Sequence, residues 1–223
     1  MPVPDAVVFG PDESRNNLTY GQIRKRDQES RFQALERRLE LLFIVQVDHL
    51  TRRDDKDQRV VNSPFPLFLM TCVGIETFGK VFFTPEYKNG RQQEDLQRDG
   101  FLEICKRIDT KLSRPLSKEH KSKYDQLWGK DEHKKVKSTS HIIYRSGRHS
   151  MVHSYQGKGV YLTEDNSVPC WKLDNGAILI NPYQFWECFK EMSTTLWKEF
   201  HENKEPSNPL KKSAKLYLDE MLE

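Results

Sequence analysis

Asn62-Ser63-Pro64-Phe65-Pro66-Leu67-Phe68-Leu69-Met70-Thr71-Cys72-Val73-Gly74-Ile75-Glu76-Thr77-Phe78-Gly79-Lys80-Val81-Phe82-Phe83-Thr84-Pro85 decides the fold. Asn62-Ser63 offers capping oxygens and Pro64 a first-turn residue that needs no N–H partner, so a helix starts here; Thr84-Pro85 stops it. Between those signals the chain is apolar nearly all round, and such a helix is stable in water only when other elements enclose it. Thr71, Glu76 and Lys80 interrupt the run, which argues for a protein core rather than a bilayer. Gly74 and Gly79 would each cost about 1 kcal/mol in a helix interior, so both read as places where a neighbour packs closely.

The enclosing elements follow in both directions. From Ser30, Phe32, Leu35, Leu39, Leu42 and Val45 recur in three- and four-residue steps, predicting an amphipathic helix to about Arg53. Glu94 to Leu112 carries Leu96, Phe101, Ile104, Cys105 and Ile108 at the same spacing, and a Lys-rich helix spans about Lys118 to Trp128. Gly159 to Thr163, Pro169 to Leu173 and Ala177 to Ile180 read as short strands, with Asp174-Asn175-Gly176 as a turn. Asn181-Pro182 then starts a strong helix to about Glu202, striped with Phe185, Trp186, Phe189, Met192, Leu196, Trp197 and Phe200, before a last short helix at Leu210 to Leu222. The expected architecture is mainly α: a helical bundle with a small β-hairpin insertion at about 159–180, ahead of the C-terminal helices. Residues 1–28 show no sustained period and read as a loosely packed arm, leaving 29–223 as a single domain.

The 223 residues suffice for one real core. Net charge is +3, but Lys106 to Lys158 holds 14 Lys and Arg against 5 Asp and Glu, a local +9 that leaves −6 elsewhere. A concentrated positive field attracts polyanions, which makes nucleic acid the natural partner class. The bland alternative is a set of solvated lysines on helix surfaces. Cys72, Cys105, Cys170 and Cys188 make no CxxC pair and are expected as reduced core residues. With no signal-like or membrane-spanning segment, the expected location is cytoplasmic. No Gly-rich phosphate loop or Ser-His-Asp order suggests an NTPase or a hydrolase.

Within the basic third lies Tyr144-Arg145-Ser146-Gly147-Arg148-His149-Ser150-Met151-Val152-His153-Ser154-Tyr155, flanked by Ile142 and Ile143 and ended by Gly157 and Gly159. On a helix turning about 100° per residue, His149 and His153 share a face with Arg148 one step round it. Imidazole moves protons near neutral pH and guanidinium forks onto phosphate oxygens, a combination suited to phosphodiester cleavage. The i, i+4 histidines lack the glutamate of an HExxH zinc site, so no metal or other cofactor is expected.

Arg148 and His153 with four residues between them and a polar residue after the arginine, preceded by an apolar helix carrying Gly74-Ile75-Glu76, resemble the HEPN superfamily (higher eukaryotes and prokaryotes nucleotide-binding), in particular its small prokaryotic members. The resemblance in organisation covers roughly Ser30 to Glu202, and its sharp part about ten residues. It implies a helical bundle that pairs as a homodimer and a metal-independent endoribonuclease with Arg148 and His153 as catalytic residues, assisted by His149. Arg145, Tyr155 and Lys158 are the expected substrate-binding residues, and Glu76, a carboxylate inside an apolar run, is expected either to ion-pair with Arg148 across the bundle or to orient the arginine or His153. It also allows a toxin or phage-defence setting with an antitoxin or other protein partner, and a non-catalytic nucleotide- or RNA-binding or protein-interaction module. The Arg/His stretch also fits a solvated face or a hydrogen-bonded dimer seam.

Overall fold

In the computed structural model, residues 7–11, 17–51, 64–83, 93–128, 136–145, 159–205 and 207–222 are described. They are mainly helical, with a small three-stranded sheet and a short N-terminal strand pair.

The central helix is where the sequence puts it. It spans Pro64–Phe83 (α4, the earlier elements following below) and buries Leu67, Phe68, Cys72, Ile75, Phe78, Val81 and Phe82. By length and hydropathy it would cross a membrane, yet 56% of its most apolar window is buried inside the protein, as befits a core helix. The helix Gln93–Ile108 (α5) lies along it and comes closest at a glycine pair. A Cβ on Gly79 would stand 2.5 Å from the Gly100 carbonyl carbon, so the two backbones touch. Gly74 is close-packed as well, against the rings of Phe43 and Phe189.

Pro182–Glu202 (α8) closes the core with its aromatic stripe. Asn181 caps it through Oδ1, which accepts from the Tyr183 and Gln184 amides. Phe189 meets Phe78 edge-on at 5.3 Å between centroids and Trp197 meets Phe82 at 4.9 Å, geometries that suit aromatic quadrupoles. Pro209–Leu222 (α9) adds Leu210, Ala214, Leu218 and Leu222, one stripe at four-residue spacing, and packs on α4.

On the N-terminal side, Asp27 caps Gln28–Leu39 (α2) by accepting from the Ser30 amide at 2.9 Å. The rod continues through a π-helical turn, Glu40–Ile44, into Val45–Asp48 (α3) and a 3₁₀ turn, His49–Thr51. The periodicity predicts this rod but not the π turn, which widens the helix just where Phe43 reaches over Gly74. Residues 17–24, assigned from sequence to a loose arm, contribute to the core. Val7–Pro11 (β1) pairs with Asn17–Thr19 (β2), and Thr19 and Gln22 form a reciprocal capping box on Tyr20–Arg24 (α1), which leaves Leu18 and Ile23 buried.

The expected hairpin is present as Trp171–Asp174 (β4) and Ala177–Ile180 (β5), antiparallel, turned by Asn175 and Gly176, both at positive φ. A third strand, Val160–Leu162 (β3), runs parallel to β5, making a three-stranded mixed sheet in the order β3-β5-β4 rather than a lone hairpin. A parallel partner needs a crossover, and β4 with its approach supplies it. Between α5 and the sheet come a 3₁₀ turn, Thr110–Ser113, the helix Lys118–Trp128 (α6) and the short helix Thr139–Tyr144 (α7).

Candidate functional site

α7 is the last described element before the Arg/His stretch. Ile142 and Ile143 are fully buried, and the Tyr144 ring meets Phe101 of α5 at 5.1 Å. One turn before that ring pair, His141 on α7 and Arg98 on α5 interact. The chain entering α7 is fixed by the amide of Leu116 donating to the Lys137 carbonyl, which brings Lys137 to the same end of the helix. Arg145 caps the other end.

The charges of Arg98, Lys137 and Arg145, and the carboxylate of Asp99, all act on His141. Partial burial, then the charges of Arg98, Lys137 and Arg145, push its imidazole down to about 4, against a smaller opposing pull from Asp99. It is neutral at physiological pH. Its Nδ1 lies 2.8 Å from the Ser138 hydroxyl, which is 2.8 Å from the Ser140 hydroxyl, and both serines are buried. In the tautomer with Nε2–H, Ser140 donates to Ser138, Ser138 donates to Nδ1, and Nε2 remains a donor. The cluster thus combines three cations, one of them paired with Asp99, and a neutral imidazole in a half-buried setting.

Other cations of the basic third serve the fold. Arg107 Nη1 pairs with Glu199 Oε2 at 2.6 Å, and its guanidinium stacks over Phe83, binding α5 to α8. Lys106 pairs with Glu103 and Lys123 with Glu119 along their own helices. The described clefts along α8 are lined by carboxylates as well as cations, Lys198 and Lys204 beside Glu199 and Glu202 in one and Arg107 beside Glu191 in the other, so neither offers a one-signed surface for a polyanion. Around α7, Lys137 and Arg145 flank the helix that carries His141, and Arg98 of α5 pairs with Asp99 at 3.2 Å.

The expected site residues divide accordingly. Arg145 stands in the His141 cluster, where a phosphate contact was expected. Arg148, His149, His153, Tyr155 and Lys158 lie outside the described residues. Glu76, partly buried mid-helix as its position in an apolar run implies, pairs with Lys80 Nζ at 3.0 Å, and the pair expected with Arg148 falls on a residue outside those described. Among the described residues, no group of three or more His, Cys, Asp and Glu side chains is placed to hold a metal ion.

Sequence reading passed over His141, Ser138, Lys137 and Arg98. The first two carried a signal, a serine three residues before a histidine at a helix start. Arg98 carried none, since only the packing of α5 on α7 brings it in. The cysteines also divide: Cys72 and Cys105 are buried as expected, whereas Cys170 and Cys188 are partly exposed.

No family model matches the chain, and no curated protein or solved structure matches it.

Proposed function

We propose that the protein is a metal-independent endoribonuclease that cleaves single-stranded RNA as a homodimer. The observation that carries the proposal is His141, hydrogen-bonded through Nδ1 to Ser138 at 2.8 Å, on a short helix flanked by Lys137 and Arg145 at the foot of the Arg/His stretch. A positive, partly dehydrated surface there draws the RNA backbone in and strengthens every phosphate contact made against it. His153 takes the 2′-hydroxyl proton, the 2′-oxygen attacks phosphorus, and Arg148 neutralises the charge that builds on the phosphorane. A second proton carrier, His149 or His153 of the paired copy, protonates the leaving 5′-oxygen. The product is a 2′,3′-cyclic phosphate, and the bond changes need no metal.

Incubation of single-stranded RNA in EDTA with wild type, Arg148→Ala and His153→Ala protein tests this. Wild type is expected to leave cyclic phosphate ends, and each variant to cut about 10²–10⁴-fold more slowly. RNA left intact by the wild type, or cut equally by all three, overturns it. One observation favours a second reading, RNA binding without cleavage: His141 has its Nδ1 engaged by Ser138 and a depressed basicity, so it suits an anion contact better than proton transfer.

A further inference from the structure

The serine at the start of α7 does not cap its helix. A serine in that position ordinarily accepts from an amide of the first turn. The Ser138 hydroxyl makes no such bond and is turned to two side chains instead, the Ser140 hydroxyl and His141 Nδ1, each at 2.8 Å. Ser138 is buried and Ser140 is 0% exposed, so the Ser140 hydroxyl has no water to turn to. The same Ser-x-x-His spacing recurs at Ser117 and His120, 2.8 Å apart at the start of α6, but there the serine is exposed and accepts from the His120 amide as an ordinary cap.

Each hydroxyl carries one proton, and the three groups can be ordered in two ways. In the first, Ser140 donates to Ser138 and Ser138 donates to Nδ1, which must then be the bare nitrogen. In the second, Nδ1–H donates to Ser138 and Ser138 to Ser140, which leaves the buried Ser140 proton with no acceptor among the described residues. A buried donor without a partner bears its full desolvation cost, and the first order avoids it. Partial burial and the charges of Arg98, Lys137 and Arg145, against the pull of Asp99, keep the ring neutral at pH 7, so one nitrogen is protonated and the other is not. The first order puts that proton on Nε2. The Ser138 bond is the only hydrogen bond that the His141 side chain makes among the described residues, so Nε2–H is left to donate elsewhere.

We infer that Ser140 and Ser138 hold His141 as the Nε2–H tautomer, and that this N–H is a hydrogen-bond donor for a phosphodiester oxygen, with Lys137 and Arg145 at the two ends of the helix supplying positive charge. His141 is the binding residue, and Ser138 a positioning residue that acts through it. The arrangement also removes His141 from proton abstraction, since its accepting nitrogen is already taken by Ser138. The phosphodiester contact rests on the RNA reading above; the tautomer stands without it.

The test reads the tautomer first, from the nitrogen-15 shifts of the His141 ring in the free full chain at pH 7. Wild type is expected to show a protonated Nε2 and a bare Nδ1, and Ser140→Ala a mixture of the two tautomers. Nδ1–H in wild type overturns the proposal whatever the variant does, as does an unchanged single tautomer in folded Ser140→Ala. Binding is then followed by anisotropy with a fluorescent 2′-O-methyl single-stranded RNA, whose blocked 2′-oxygen cannot attack, so that affinity is read apart from cleavage. His141→Ala is expected to bind about 10-fold more weakly, and His141→Gln, whose amide can donate in place of Nε2–H, to stay within about 3-fold of wild type. Circular dichroism confirms that the variants are folded; if His141→Ala is not, the shift of the wild-type Nε2 signal on adding the strand decides. Equal binding by wild type and folded His141→Ala, or an Nε2 signal that does not move, overturns the phosphodiester contact alone. A wild type that shows the expected tautomer and binds no strand overturns the RNA reading together with that contact.

Discussion

His141 is the residue at which local structure becomes electrostatics. Partial burial, then the charges of Arg98, Lys137 and Arg145, push its imidazole down to about 4 from a usual 6.5, so it binds its proton later in the folded than in the unfolded chain as pH falls. Folding is therefore penalised progressively from about pH 6.5 down to about pH 4, and the penalty is constant below that. An NMR titration of the imidazole is expected to show a midpoint near pH 4, with a smaller acid loss of stability in His141→Gln than in wild type; a midpoint at pH 6 or above would mean that the ring is neither buried nor acted on by those cations. Of this cluster, the sequence pointed to Arg145 through its place in the basic stretch. It could not point to Arg98, which lies more than forty residues away on a helix whose rotation is settled by packing. Glu76 was legible as a carboxylate in an apolar run in need of a cation, and Lys80, one turn on, is one such partner.

Among the elements, the meeting of α4 and α5 is the most constrained. Alanine in place of Gly79 or Gly100 would gain about 1 kcal/mol in helix propensity. Each new Cβ, however, would lie 2.9 Å or less from the other helix's backbone, which cannot swing aside as a side chain can. Overpacking of this kind costs about 1–3 kcal/mol, so the clash is expected to win and Gly79→Ala and Gly100→Ala to be destabilised in urea titrations. Unchanged or raised midpoints would mean that the helices stand further apart. The close approach was readable at Gly79, because a mid-helix glycine needs a reason. The helices themselves were readable because their apolar spacing is regular and capped. The π turn at Glu40–Ile44 was not, because one extra residue leaves the apolar pattern on either side unbroken. The pairing of β3 with β5 was equally hidden, since a three-residue strand carries no register signal until its partner is placed.

At the scale of the whole molecule, the N-terminal rod and α8 are joined by Asp48. Its Oδ1 accepts from the indole of Trp186 at 3.0 Å and from Lys190 at 2.7 Å, across some 140 residues of chain. Trp186 is fully buried, so Asp48→Ala leaves its N–H with no acceptor, a loss of about 1–3 kcal/mol measurable by chemical denaturation. A midpoint equal to wild type would place the rod's attachment elsewhere. Lys106, Arg107 and Lys123 are paired with carboxylates in the service of packing, and the polyanion contact we propose falls to Lys137 and Arg145, which flank α7. That claim is tested most directly by the affinity of a fluorescent single-stranded RNA for wild type and for Lys137→Ala/Arg145→Ala, followed by anisotropy as salt rises. If both cations meet phosphates, the double variant binds more weakly and its log–log salt slope is shallower by about 1.4. Equal affinity and an equal slope would contradict the account and place the RNA on another face.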